Sequence, residues 1–594
     1  MKSSARAPQT LRFGVFELDL RSGELRKQGR RIRLEGQPVQ VLIKLLEKPG
    51  ELITREDLRK ELWPADTFVN FEQSLNAAVK RLRHALGDAA ANPRFIETLA
   101  RRGYRFIAPV NSAVAPATPE TQRPRAVESL AVLPFVNADA DPETEYLADG
   151  ITESIIHHVS RISSVRVMAR STVFRYKDKT SDPRTVGRKL NVDAVLLGRL
   201  QQRGDALLIA AELVDVQNGW RLWGEQYNRK LADILSVEEE MSREISEKLR
   251  VQLSGADRSM LAKRYTQSTE AYQDYLKGRY HLNRLTEEGL RKAIEHFERA
   301  IQRDQTYALA YAGLADSFGL LGFMGLAPAA EVMPKAKEAA MRSIAIDDGL
   351  AEGHASLAGV LKNYDWDWIG AEREYTKALE LNPRLASGHR MYAAFLAALG
   401  RADQSLRASQ LAVELDPFSL AIRVEVAYNL YMGRNYERAL EEVLRTLDLE
   451  PQFAPAQSIL GCIYEQQGRY DQALTALERA RDLSGAHPAT RASLIHILAA
   501  AGRMPEAREL LISLEDLSRR RHVSGFWMAL AYAGVGETST AIEALYKAYD
   551  QRDVVLVWVG VEPRLDSLRR EPRFAELLRR MGLPELADTA HAGQ

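Results

Sequence analysis

Small residues recur every 34 positions at Ala371, Ser405, Ala439, Ala473, Ala507 and Ala541, and this spacing constrains the fold more than anything else in the chain. Pro383, Pro417 and Pro451 keep the same step. Twelve positions before the small residues stand Gly359, Ala393, Ala427, Gly461, Ile495 and Ala529, and four after them stand Tyr375, Ser409, Val443, Leu477, Leu511 and Leu545. A small residue on each member of a helix pair lets the two axes approach closely. Proline cannot continue a helix and so closes the second one. Such a unit cannot bury its apolar face alone and must stack on copies of itself. Residues 268–585 are therefore expected to be all-α, with about eight units. Two looser units centre on Ala293 (with Phe297 and Ala300) and on Ala336–Ala340.

The unit running from Gly461, Cys462, Ile463 and Tyr464 through Gly468, Arg469, Tyr470 and Ala473 to Ala480 resembles the tetratricopeptide repeat. The resemblance implies a solenoid whose concave face holds a peptide or protein partner. The alternative is an array that only spaces or dimerises the other domains. A repeat array by itself offers no catalytic chemistry.

The whole-chain net charge of +1 conceals an asymmetry. Residues 1–110 carry 21 Lys and Arg against 13 Asp and Glu, while the other 484 carry 60 against 67. A basic head on an acidic body points to a polyanion partner for the head. Within it, Leu75, Val79, Leu82 and Leu86 line one face of a helix over residues 71–86. The opposite side carries Gln73, Asn76, Ala77, Lys80, Arg81 and His84, with Ser74 and Arg83 on its flanks. Amide and guanidinium groups on such a face can reach base edges and phosphates of double-stranded DNA in the major groove. Upstream, Pro38–Glu47 reads as a buried helix, and Thr54 caps a second helix containing Leu58 and Leu62. Downstream, Arg94–Thr98 and Tyr104–Pro109 read as a hairpin, with Gly103 freeing the turn and Arg101 and Arg102 projecting from it.

These segments resemble the winged helix–turn–helix of the OmpR type. The matching residues are Phe13–Leu20, Pro49–Leu58, Trp63-Pro64, Val79–Gly87 and Phe95–Phe106, over about 100 residues and in the family's order. The resemblance implies a four-stranded N-terminal sheet, a three-helix core and a C-terminal wing over 11–110. It places the third helix in the major groove and the wing on the adjacent minor groove or backbone. Lys80, Arg81 and Arg83 then become phosphate or base contacts and Thr98 a phosphate contact. Relatives often have arginine where this chain has Ala100, which moves the wing contact to Arg101 or Arg102. Tyr104 borders this set and is expected to brace the wing rather than read bases. The loop from Trp63 to Asn70 is where relatives often touch RNA polymerase; a plain connector is the other reading. Only ten residues precede the first strand, so no phosphoacceptor domain is expected ahead of it. The order is similar to CadC-like one-component regulators, but the Pro- and Ala-rich linker 111–127 contains no membrane span. A homodimer on DNA fits this class.

Residues 128–255 alternate apolar runs and amphipathic stretches in an α/β or α+β pattern. Leu133-Pro134-Phe135, Tyr146–Thr152 and Gly219–Trp223 resemble the TolB N-terminal-like domain, which implies interaction or sensing rather than a reaction. No catalytic constellation stands out, and neither a cofactor nor a metal is expected. Asp149-Gly150 beside Glu153 reads as a loop and helix N-cap, and His157-His158 as a solvated helix without a third ligand. A G-x-x-x-x-G-K-[ST] loop is absent. Cys462, the single cysteine, reads as a small core residue and leaves no disulfide framework. The uncharged stretch that most invites a membrane reading, Ser317–Ala330, is 14 residues, short of the ~20 a membrane span needs. The expectation is a multidomain cytoplasmic protein: α+β winged helix, α/β (α+β) domain, then all-α solenoid. It regulates transcription and is not an enzyme. An adaptor using the winged helix only for protein contacts is the rival reading.

Overall fold

A computed structural model of the chain describes residues 10–584 except 21, 28–29, 33, 35, 63–70, 91–92, 101, 114–126, 161, 163–164, 178–181, 250–262 and 486. The chain divides into two compact units, Met1–Arg125 and Ala126–Gln594.

The first unit begins with β1 (Thr10–Phe13), β2 (Phe16–Asp19), β3 (Leu25–Lys27) and β4 (Arg30–Ile32). This antiparallel meander has Phe13 paired with Phe16, and Leu18 with Leu25. Three helices follow: α1 (Gln37–Glu47), α2 (Arg55–Leu62), entered through β5 (Leu52–Thr54), and α3 (Phe71–Leu86). The Thr54 hydroxyl accepts from the Asp57 backbone N–H at 3.1 Å, and Asp57 accepts from the Thr54 N–H at 3.2 Å, a reciprocal cap. β6 (Ile96–Leu99) and β7 (Gly103–Phe106) form the wing, with β5 as its third strand. β8 (Val110–Ala113) then pairs with β1. The N-terminal sheet therefore has five strands, not four, and the first residues assigned to the linker belong to it. Phe13, Phe16, Phe95 and Phe106 pack edge-to-face at 5.1–6.0 Å and join sheet to wing.

Gly103 is the first residue of β7, directly after the turn between the wing strands. A Cβ there would sit 2.1 Å from the Ile53 carbonyl oxygen, so the close approach of β5 is what requires glycine.

In the second unit, β9 (Ser129–Val132) runs parallel to β11 (Arg166–Val167) and β12 (Ala194–Arg203). Pro134 separates β9 from a short β10 (Val136–Asn137). β12, β13 (Ala206–Asp215) and β14 (Arg221–Lys230) form an antiparallel meander. Helices α4 (Glu145–Ser160), α5 (Arg170–Val173), α6 (Pro183–Leu190) and α7 (Ile234–Lys248) complete the domain.

From Thr269 the chain is helical hairpins, eight of them between Thr269 and Asp550. The helices Trp368–Leu381, Ala402–Leu415 and Tyr436–Leu449 each end two residues before Pro383, Pro417 and Pro451. Gly461 shows why the small residues recur: a Cβ on it would meet Leu477 at 2.6 Å. Among the described residues no helix is long and apolar enough to cross a membrane.

The end of the chain does not continue the repeat. Val554–Trp558 and Pro563–Leu568 are short 3-10 turns whose apolar residues are buried against several repeats. Trp558 packs edge-to-face on Tyr428 at 5.0 Å, Tyr431 donates to Glu562 at 2.9 Å, and Arg564 donates to Ser493 at 2.8 Å. Trp368 donates to the Met581 carbonyl at 2.6 Å. The chain's own C-terminal segment thus packs against several of the repeats. The middle domain also docks on the repeats: Ser171 and Thr172 both donate to Asp416, and Arg175 donates to the Leu449 carbonyl at 3.0 Å.

Candidate nucleic-acid interface

Helix α3 has the apolar stripe that its sequence demands. Leu75, Ala78, Val79, Leu82 and Leu86 are buried in the core of the first unit. This burial turns Gln73, Asn76, Ala77, Lys80, Arg81 and His84 outward, and all six are exposed. Lys80 and Arg81 have no ion pair among the described residues, so both charges face solvent.

One acid, Glu72, opens the same face, and Arg55 at the start of α2 matches it at 2.5 Å. Arg55 also reaches the Tyr104 hydroxyl at 3.2 Å and lies over its ring at 5.3 Å. Tyr104 in turn donates to Asn76 Oδ1 at 3.0 Å. The cluster ties α2, α3 and the wing together and leaves Asn76 Nδ2 outside these bonds. Tyr104 is only 3% exposed, and burial pushes its hydroxyl above the ordinary tyrosine range. It braces the wing and has no surface to offer a duplex.

Arg83 also departs from the expected outward contact. Its Nη2 donates to the Ile96 carbonyl at 2.7 Å and to the Thr98 hydroxyl at 2.8 Å, and its Nε lies 3.9 Å from the fully buried Asp88 carboxylate. The flank position on the helical wheel is the reason, because it faces the first wing strand. Asp88 accepts from the backbone N–H groups of Arg94 at 2.6 Å and Ile96 at 2.9 Å and so fixes where that strand begins. Thr98 and Arg102 are exposed on the wing, while Arg101 and the loop 63–70 lie outside the described residues. Arg105 pairs across the wing with Glu97 at 2.8 Å.

Sequence reasoning missed Arg55 and Asp88. The signal for Asp88 was present: an acid directly after Gly87, where a helix C-terminus gives way to a loop. Arg55 carried no such mark, since its partners lie 17 to 49 residues away.

This arrangement offers a rigid helix with an outward amide and basic face beside a basic hairpin. Residues 29–106 match the family described as transcriptional regulatory protein, C terminal. The N-terminal unit is an OmpR-type winged helix. Residues 126–254 match the HilA/YgeH-like transcriptional regulator, second domain, so the segment expected to resemble TolB has a regulator's domain as its match. Residues 427–488 and 464–522 match tetratricopeptide repeats. Putative adenylate cyclase 3 of Rhizobium meliloti (strain 1021) is 35% identical over 246 residues, which are 41% of each chain. Transcriptional regulator HilA of Salmonella typhimurium is 24% identical over 442 residues, 73% of this chain and 75% of HilA. The cholera toxin transcriptional activator of Vibrio cholerae is 35% identical over 81 residues, 14% of this chain and 28% of that one. The chain thus spans less than half the length of the cyclase relative.

Potential chemistry in the second unit resolves into packing. Asp149 and Glu153 lie within α4 rather than in a loop and cap: Asp149 pairs with Lys177 at 2.5 Å, and Glu153 with Arg170 and Arg279. His157 is half-buried 3.4 Å from Glu352, and His158 lies 2.9 Å from the Ser154 carbonyl, so neither sits on a solvated face. Burial pushes the Cys462 thiol up to about 11, which keeps it protonated. Among the described residues no cluster of three or more His, Cys, Asp or Glu could hold a metal ion.

Proposed function

We propose that the protein is a sequence-specific DNA-binding transcriptional regulator acting in the cytoplasm without enzymatic activity. The observation that carries this reading is the exposed Asn76, Ala77, Lys80, Arg81 and His84 face, held on a buried apolar stripe beside the wing. In the bound state α3 lies in the major groove. Asn76, Arg81 and Gln73 face base edges, Lys80 and His84 face phosphates, and Thr98, Arg101 and Arg102 reach the backbone beside the wing. Arg83 and Tyr104 position these groups. The division of labour is 11–110 for DNA, 128–255 and the repeats of 268–585 for a signal or a protein partner. RNA polymerase contact through 63–70 and dimerisation on the operator belong to the same reading.

The test is a gel shift of the full chain on genomic fragments with excess non-specific competitor at moderate salt. A specific shift that weakens steeply as salt rises is expected, because Lys and Arg contacts release counterions from phosphates. No specific shift of any fragment at moderate salt overturns the reading and favours an adaptor.

A further inference from the structure

The second unit contains a cavity of about 750 Å³ walled by α4, the region around α5, α7 and the inner helices of the first repeats, with Trp558 of the C-terminal segment on one side. That size lies within the range of small-molecule sites, and most of the wall is apolar, including Met391, Ala394 and Ile422.

Cations in this wall are matched with one exception. Arg170 and Arg279 share Glu153, and Arg390 lies 3.4 Å from Glu425. Arg264 and Lys263 pair with Glu239 and Asp347, while Arg166 and Arg384 donate to backbone carbonyls. Lys362 alone has no carboxylate at ion-pair distance and no hydrogen-bond acceptor among the described residues, although it is 6% exposed; Glu425, which pairs with Arg390, acts on it from further away. Its ammonium lies 5.8 Å from the centre of the Trp558 ring. The residue belongs to a π-helical turn, Leu361–Asp365, which interrupts the third hairpin between Ala351–Val360 and Trp368–Leu381. Such turns are costly and concentrate at functional sites. In the same wall the Tyr375 hydroxyl and Asn363 Oδ1 are buried without a hydrogen-bond partner among the described residues. An ammonium without an ion-pair partner on a largely buried side chain, in the same wall as two unsatisfied polar groups, is expensive unless something binds there.

We propose that this cavity binds a small organic anion, with an apolar body against Trp558, Met391 and Ile422 and a single carboxylate, sulfonate or phosphate on Lys362. One unmatched positive charge calls for one negative charge on the ligand. Burial pushes Lys362 down to about 8, so it remains a cation at neutral pH in the empty site, and an anion strengthens that charge state. Among the cavity acids without a cation, burial pushes Glu238 up to about 8 and raises Asp316 and Asp416, which weakens their competition for Lys362. The site deepens the reading of this unit as the signal-receiving part and rests on that reading only for its consequence at DNA.

The experiment measures ligand binding on the full chain without DNA, so failure here is distinct from failure at the winged helix. The probes are 8-anilinonaphthalene-1-sulfonate and its neutral relative N-phenyl-1-naphthylamine, followed by fluorescence. One site per chain is expected for the sulfonate. Lys362→Met should weaken it about tenfold or more, the loss of one charge-assisted contact, with the neutral probe unchanged. Lys362→Arg should retain most of the affinity, and Ala394→Trp should exclude both probes. Circular dichroism keeps folding separate, and Lys362→Met is expected to be at least as stable as the parent. Sulfonate affinity unchanged in Lys362→Met, or no stoichiometric binding by the parent, overturns the proposal.

Discussion

Replacing Arg564 with methionine should destabilise the second unit severely, because the substitution strands a carboxylate. Arg564 and Glu562 have side chains 3% and 0% exposed. Glu562 accepts from Arg564 Nε at 2.8 Å, from Nη2 at 3.2 Å and from the Tyr431 hydroxyl at 2.9 Å. Burial alone would raise the Glu562 carboxyl, but the adjacent guanidinium outweighs burial and holds it below its ordinary range. Removing one partner of a buried pair costs about 3–5 kcal/mol, whereas replacing both by apolar groups of similar volume is often close to neutral. Arg564→Met should therefore lose about 3–5 kcal/mol, and Glu562→Met/Arg564→Met should recover most of it. Urea unfolding of the full chain, followed by helical circular dichroism, reads both values. The cost should grow as pH rises from 5 to 8, since the stranded carboxyl can escape by protonation only at the acid end. A single variant within about 1 kcal/mol of the parent would refute the seating of the C-terminal segment among the repeats. A double variant as unstable as the single one would do the same.

Three further outcomes follow from the packing. Glu238 has its carboxyl raised to about 8 by burial, so its contribution to stability is complete below the unfolded value and is lost as pH rises through about 8. Glu238→Gln should flatten that decline, worth about a few kcal/mol, in urea midpoints taken from pH 5 to 9. Thr54→Ala removes the reciprocal cap of α2 and should cost about 1 kcal/mol in the winged-helix transition, read by hydrogen exchange of the α2 amides. Arg83→Ala should lower DNA affinity by loosening the wing and leave sequence preference intact; a changed preference in fragment selection would make Arg83 a base reader after all.

Much of the architecture is legible because it rests on local spacing. The 34-residue step of Ala439, Ala473 and Ala507 is a packing requirement, as the Gly461–Leu477 approach shows, so it survives in any one sequence. The stripe of Leu75, Val79, Leu82 and Leu86 orients α3 for the same reason. Contacts across long separations were not legible. Trp368 meets Met581 and Tyr431 meets Glu562, and nothing near either residue announces the pairing. Arg83 sat on the border of the helical wheel, where a few degrees decide between groove and wing. Tyr104 was read as a brace, which its burial explains, while the role of Gly103 depends on β5, fifty residues upstream.

The most direct test of the central claim is a salt titration of DNA affinity on a selected genomic fragment, comparing the parent with Lys80→Ala and Arg81→Ala. If Lys80 contacts a phosphate, its loss should reduce the slope of log K against log salt by roughly 0.9 and weaken all sequences alike. If Arg81 reads a base, its loss should cost about 1–3 kcal/mol on the selected fragment and relax the preference at one position. Unchanged affinity, slope and preference in both variants would contradict the placement of α3 in the groove.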